Sequence, residues 1–252
     1  MEKKLLALIA CAVLFIACDM TSSSTSSENK SDNHSKNCPY ADEPLTDPRD
    51  GKVYKTIKIG DQIWMAENLN YDTTFSWTTD SLDKDGSIYG RFYEFSSAKT
   101  ACPEGWHLPS REEFRVLIRA VGGDSLATWN LKTTSGWNQD NDGHDANGAD
   151  TYCFGAKAAG EMSNQSPNAY RVGEYGLFWT KENYTPKRHD YTYGITYDEP
   201  EEAFVLKISN DNAQEVRFIG QRTYYTSSIR CLKGDPEPEP PLPVTIIGSV
   251  SD

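Results

Sequence analysis

The sequence predicts an α+β domain built from short, twisted antiparallel strands, two or so helices and long ordered loops. Three observations carry that expectation. Polar and apolar residues alternate through Val53-Tyr54-Lys55-Thr56-Ile57-Lys58-Ile59, Gly60-Asp61 makes a tight turn, and Gln62-Ile63-Trp64-Met65 returns, which is the pattern of a hairpin with a primed-type turn. Only one segment carries a complete helix start signal. Tyr, Trp and Phe make up 12% of the chain, a composition that suits short strands joined by ordered loops. After the hairpin, a first helix is expected over residues 92–101. A corner follows at Cys102-Pro103-Glu104-Gly105-Trp106-His107-Leu108-Pro109, with Trp106 expected to fill the core beneath it. Ser110 and Glu113 then form a capping box, each side chain satisfying the other residue's free N–H. Phe114, Leu117, Ile118 and Val121 recur at helical spacing, and Gly122-Gly123 supplies the stop. The Gly/Asn/Asp-rich stretch 133–149 reads as a surface loop. Further short strands are expected at 176–180, 191–197, 203–208 and 228–232.

The composition changes at both ends. Met1-Glu2-Lys3-Lys4 is a basic start, and the apolar run 5–17 is too short to span a bilayer. It ends at Leu14-Phe15-Ile16-Ala17-Cys18, which resembles the lipobox of bacterial lipoproteins, where a small residue precedes the cysteine that becomes the lipidated new N-terminus. Leu8-Ile9-Ala10-Cys11 has the same form, but cleavage there would leave an apolar core of residues 5–10 alone. Cys18 is therefore the expected lipidation site, with an ordinary secretory leader cleaved elsewhere as the alternative. More than one acyl chain on that cysteine would give stable anchoring. The expected organisation is a signal peptide at 1–17, a Ser/Thr/Asn-rich tether at 18–45, a globular domain at 46–234 and a Pro/Glu-rich tail at 235–252. The globular part is long enough for one good core. The chain carries a net charge of −12, and losing Lys3, Lys4 and Glu2 with the leader makes it more acidic still. That balance argues against nucleic acid or anionic headgroups as partners. The expected location is the bacterial cell envelope, lipid-anchored at the outer membrane on its periplasmic or outer face.

Four cysteines remain once Cys11 leaves with the signal and Cys18 is lipidated: Cys38, Cys102, Cys153 and Cys231. In an exported chain they suggest two disulfides, with three connectivities open. The pairing favoured is Cys102–Cys231, which joins the corner before the main helix to the last strand, together with Cys38–Cys153. Cys38 sits at the tether junction, so its alternatives are a free thiol or a link between two chains.

Several motifs resemble the Fibrobacter succinogenes major paralogous domain. They are Asp50-Gly51-Lys52-x-Tyr54, Ile59-Gly60-x-Gln62-x-Trp64-Met65-Ala66-Glu67-Asn68-Leu69-Asn70-Tyr71, Tyr89-Gly90-Arg91-x-Tyr93, Cys102-Pro103-x-Gly105-Trp106-His107-Leu108-Pro109-Ser110, Thr134-Ser135-Gly136-Trp137-Asn138, Phe178-Trp179-Thr180 and Ser228-Ile229-Arg230-Cys231-Leu232-Lys233. The resemblance runs in order over residues 47–233. It implies an exported bacterial protein, often a lipoprotein, and no defined molecular activity. Cys153 departs from the family's pattern. The helix start at Leu108-Pro109-Ser110 and the closing Ile229-Arg230-Cys231-Leu232 strand also resemble elements of C-type lectin-like and sulfatase-modifying-factor domains, which implies a C-type lectin-like architecture.

Three constellations bear on function. Asn138-Gln139-Asp140-Asn141-Asp142-Gly143 opens like a calcium loop, but position one is a neutral Asn and position twelve is Ala149 instead of a bidentate Glu. A solvated Asx-rich loop is therefore expected and no cofactor, with Asp140, Asp142, Asp145 and Asp150 as the ligands if calcium binds. Tyr184, His189, Tyr191, Tyr193 and Tyr197 form an aromatic group, of which Tyr191, Tyr193 and Tyr197 would share one strand face, as core or as a stacking surface for a sugar ring. Catalytic machinery is not expected: His107, His144 and His189 lack metal-ligand spacing, and no serine sits in a nucleophile elbow. Glu112-Glu113 is explained by helix capping. The expected function is a non-catalytic envelope lipoprotein that recognises a glycan or a protein. An envelope enzyme or a purely structural lipoprotein are the rivals.

Overall fold

The computed structural model describes residues 38, 40, 43–79, 81–163, 166, 168–190, 192–193, 195–199, 201–211 and 216–235. The signal peptide, Cys18, most of the tether, nearly all of the tail, and Tyr191 lie outside the described residues. In chain order the elements are β1 (Leu45–Thr46), β2 (Val53–Tyr54), β3 (Thr56–Ile59), β4 (Gln62–Met65), β5 (Ser76–Trp77), β6 (Phe92–Glu94), α1 (Phe95–Ala101), β7 (Trp106–His107), α2 (Arg111–Ala120), α3 (Asp124–Leu131), β8 (Met162–Ser163), β9 (Tyr175–Tyr184), β10 (Lys187–Asp190), β11 (Ile195–Asp198), β12 (Glu202–Ser209), β13 (Arg217–Arg222), β14 (Tyr225–Ser227) and β15 (Leu232–Lys233). The fold is α+β, and the paired strands are antiparallel. No helix among the described residues is long and apolar enough to cross a membrane.

Three sheets and two small ladders make the frame, with strand orders β3-β4-β15-β7, β5-β6-β14-β8, β13-β12-β9, β1-β2 and β10-β11. The β13-β12-β9 sheet is the partition of the core. Alternation along β9 and β12 sends Phe178, Leu206 and Ile208 to one side, where they meet Trp64, Phe114, Leu117 and Phe154. The same alternation sends Leu177, Trp179, Ala203 and Val205 to the other side, against Tyr93, Phe95 and Ile229. A strand covered on both faces must be apolar throughout, which is why Gly176-Leu177-Phe178-Trp179 reads as an unbroken run.

The hairpin forms as expected, with Gly60 at φ +60° in the turn and Ile57 opposite Trp64. The helix after Ser110 also forms as expected: the Glu113 amide donates to Ser110 Oγ at 3.1 Å, and the Ser110 amide donates to Glu113 Oε2 at 2.6 Å. Elsewhere the structure corrects the sequence reading. Phe92, Tyr93 and Glu94 are a strand, held between β5 and β14, so α1 begins only at Phe95. Residues 191–197 are not one strand. Tyr193 lies in the turn of the β10–β11 hairpin and is 76% exposed, so neither a core role nor a shared strand face with Tyr197 holds for it. Trp106 is half-buried at the edge of the core, and Trp64 and Trp179 fill it instead. Residues 228–231 run between β14 and β15 and are not strand themselves.

Both expected disulfides are present, Cys102–Cys231 and Cys38–Cys153. Next to the first lies a buried charge pair. His107 Nε2 lies 2.8 Å from Glu113 Oε1, and Nδ1 lies 2.7 Å from the Gly234 carbonyl. Two acceptors on one ring require both nitrogens to carry protons. Burial opposes that charge, but the bonds to Glu113 and Gly234 outweigh it and raise the His107 pKa above its ordinary 6.5. Burial likewise raises the Glu113 pKa, and bonds to His107 and Ser110 outweigh it, leaving it below 4.5. The His107 contribution is therefore full below about pH 6.5 and lost as pH rises through its raised value, while that of Glu113 is lost as pH falls below 4.5. Urea midpoints are expected to fall between pH 6 and pH 8.5 by the equivalent of about 1–2 kcal/mol, and His107→Gln to flatten that slope. A slope unchanged in the variant would assign it to other groups.

Candidate functional site

The site begins with α3, an element whose sequence signals are weak. Its N-cap is Gly123, which offers no side chain to cap with, and its buried residues are Ala127, Thr128 and Leu131. That burial leaves Leu126 and Trp129 on the outer face, 51% and 55% exposed. Two large apolar side chains one turn apart in water are an unusual use of surface.

The loop after α3 folds back onto it. The Gly148 amide donates to the Thr133 carbonyl and the Ala149 amide to the Trp129 carbonyl, both at 2.9 Å. A Cβ at position 148 would run into the carbonyls of Lys132 and Trp129, so this close approach requires glycine. Asx bonds hold the rest of the loop. Asp140 Oδ1 accepts from the amides of Asp142 at 2.9 Å and His144 at 2.8 Å, and Asp145 Oδ1 accepts from the amide and side chain of Asn147. Asn147 Oδ1 in turn accepts from the Trp137 amide at 3.0 Å. Asn210, at the end of β12, donates to the Gln139 carbonyl at 2.8 Å and closes the far wall.

These elements enclose a cleft of about 380 Å³, lined in part by Trp129, Lys132, Asp145, Asn147, Asn210 and Asp211. Lys132 lies at its floor and is only 5% exposed. Its ammonium donates one hydrogen bond among the described residues, to the Ser209 carbonyl at 3.3 Å, and lies 4.7 Å from the centre of the Trp137 ring. Burial lowers its pKa to about 8, with Asp211, Asp145 and Asp140 acting in the opposite direction. Two polar atoms of the cleft residues, Thr128 Oγ1 and Asp211 Oδ1, are sealed from solvent and have no hydrogen-bond partner among the described residues. Thr128 is 7% exposed. Buried polar atoms left unpaired each cost about 1–3 kcal/mol, so both weigh against the stability of the domain.

A buried ammonium with so few bonds should destabilise the free protein. Lys132→Met keeps the chain's length and removes the desolvated charge, and it is expected to raise stability by about 1–3 kcal/mol, read as a higher melting temperature. A lower one would make Lys132 a structural residue.

The sequence-predicted site residues are distributed differently. Asp140, Asp142 and His144 bring ligand atoms within 4.8 Å of one another. Asp145 and Asp150 stand outside that group, and Asp150 Oδ1 accepts from the Gly155 amide at 2.8 Å. Asp140 uses both carboxylate oxygens on its own loop, Oδ2 lying 3.2 Å from His144 Nδ1. Tyr184 stacks on Phe204 with ring centres 4.7 Å apart, and Tyr197 is in the β10–β11 ladder opposite Arg188. Sequence reasoning missed Lys132, Thr128, Trp129 and Asp211. The signals pointing towards them were Trp137 and the Asx-rich loop beside it.

A second, smaller cleft of about 210 Å³ lies beside Lys52, Asn70, Ile88 and Lys157. The Lys52 ammonium there already donates to the Asn70 carbonyl, and no aromatic ring stands exposed at its mouth.

The Fibrobacter succinogenes major domain matches residues 57–233, which include the lining of the first cleft and the Cys102–Cys231 bridge. Neither a curated protein nor a solved structure matches the chain. The chain belongs to the Fibrobacter succinogenes major domain family.

Proposed function

We propose that this member of the Fibrobacter succinogenes major domain family is a lipid-anchored cell-envelope protein whose domain recognises a glycan through the cleft between α3 and the 133–149 loop. The observation that carries the reading is the Lys132 ammonium, with one hydrogen bond among the described residues, in a cleft lined by carboxylates and amides beside an exposed indole. Sugars present hydroxyls that both donate and accept, together with a C–H face that packs on a flat ring. Trp129 supplies the ring, and Lys132, Asp145, Asn147 and Asp211 supply donors and acceptors. The C-type lectin-like reading of the architecture belongs to this proposal, supported by the short antiparallel strands, the long ordered loops and the bridge from the helical corner to the last strand. The anchor rests on the Leu14-Phe15-Ile16-Ala17-Cys18 signal, with the Ser/Thr/Asn-rich segment as its tether.

Labelling with a palmitate analogue in a bacterial host tests the anchor: label on the wild type and none on Cys18→Ser is expected, and equal label on both contradicts it. A glycan array probed with the chain from Asp19 onward tests recognition. Specific spots are expected, and a uniformly blank array would turn the reading towards a protein partner or a structural role. Among the described residues Lys132 favours an enzyme, because a lysine with a pKa of about 8 at the floor of a cleft is a potential amine nucleophile. Borohydride reduction in the presence of a simple aldehyde separates the two: selective mass addition at Lys132 favours the enzyme, and its absence favours recognition.

A further inference from the structure

Resting on the recognition reading, the geometry points to a neutral sugar with vicinal hydroxyls as the ligand, with acidic sugars rejected. The lining sets the hydrogen-bond pattern that a ligand must complete. The Lys132 ammonium, which donates one hydrogen bond among the described residues, has protons left for an acceptor, and the carboxylates of Asp145 and Asp211 accept from a donor. A hydroxyl does both at once: it accepts from an ammonium through its lone pair and donates its proton to a carboxylate. Neighbouring hydroxyls on one ring can therefore bridge the ammonium and a carboxylate with no charge on the ligand, and each bond polarises the next.

The charge balance of the lining then selects against acidic ligands. Lys132 is the single cation among the lining residues, and Asp140, Asp145 and Asp211 supply three carboxylates. A uronate or sulfate entering this lining meets one ammonium and three like charges, in a space where burial strengthens both terms. A neutral diol incurs no such repulsion. Its apolar C–H face is left for Trp129 and Leu126 at the rim, both about half exposed.

Matched oligosaccharides test this, each neutral sugar being set against its C6-oxidised uronate, so that one CH2OH becomes a carboxylate and nothing else changes. Binding of the chain from Asp19 onward is measured by calorimetry at pH 7. The neutral members are expected to bind at least tenfold more tightly than their oxidised partners. Lys132→Met and Trp129→Ala are each expected to weaken that binding tenfold or more, and Asp211→Asn to narrow the neutral-over-acidic ratio. Uronates that bind as well as or better than neutral partners, with Trp129→Ala still disruptive, would overturn the ligand class and leave the site standing. Binding that survives both Trp129→Ala and Lys132→Met would overturn the site itself, as would no binding to either series. Folding of each variant is checked by its melting temperature, and the expected rise for Lys132→Met removes misfolding as the cause of a loss.

Discussion

Replacing Arg230 by alanine is expected to cost at least about 4 kcal/mol, a large share of the 5–15 kcal/mol that holds a typical domain together. Arg230 is fully buried, yet it forms no ion pair among the described residues. Its fork is satisfied by neutral acceptors instead. Nε donates to Asn68 Oδ1 at 2.7 Å, Nη1 to the carbonyls of Met65, at 3.2 Å, and of Phe154, and Nη2 to the Gly155 carbonyl at 2.7 Å. The guanidinium carbon lies 4.5 Å from the centre of the Phe154 ring. Burial lowers its pKa to about 10, so the group stays charged at neutral pH. One side chain thus joins the end of β4 and the adjoining Asn68 to the 154–155 segment, all remote from Arg230 in sequence. Alanine leaves a cavity and abandons four buried acceptors together. Lysine keeps the charge but cannot span the same acceptors, so Arg230→Lys is expected to recover only part of the loss. Urea unfolding at pH 7 measures all three proteins, and an alanine variant within about 1 kcal/mol of wild type would contradict this account.

The second large effect is expected from Cys102–Cys231. The bridge closes 129 residues of chain, and the chain-entropy description gives such a loop about 4–5 kcal/mol. Cys231 is fully buried between Arg230 and Leu232, so its removal also disturbs the packing around Ile229 and Trp179. Replacing both cysteines by alanine is expected to lower stability by about 3–5 kcal/mol. The Cys38–Cys153 bridge spans a similar separation of 115 residues, but Cys38 lies at the start of the described fold. Without that bridge the leading segment can fray locally and leave the rest folded, so its double alanine variant is expected to lose less. Guanidinium unfolding of the two double variants, with free thiols counted by alkylation and mass spectrometry, decides the order. A larger loss for Cys38 and Cys153 would reverse it.

Local chemistry made part of this fold legible in the sequence. The Gly60-Asp61 hairpin and the Ser110–Glu113 capping box are written within a few residues, and both appear as read. The disulfide pairing followed from the leader-like start of the sequence and the placing of Cys102 beside a corner. What depended on distant partners was not legible. Phe92-Tyr93-Glu94 runs straight into a helix, and pairing with Ser76 and Trp77 on one side and Thr226 and Ser227 on the other makes it a strand. Helix α3 has a glycine cap and a mixed Ser, Thr, Trp and Asn composition that favours no element strongly. The tyrosines of 191–197 show strand-like alternation, but a turn at 192–193 interrupts it. The cleft was hidden for the same reason. Lys132 and Asp211 are far apart in the chain, and no motif announces a lysine that becomes buried only when β12 ends against the 133–149 loop.

Ligand recognition in the cleft under Trp129 is tested by a glycan array probed in parallel with wild type, Trp129→Ala and, as a control in the second cleft, Ile88→Ala. A set of neutral glycans bound by wild type and by Ile88→Ala and lost in Trp129→Ala is expected. Spots that Trp129→Ala retains, or that only Ile88→Ala removes, would contradict it.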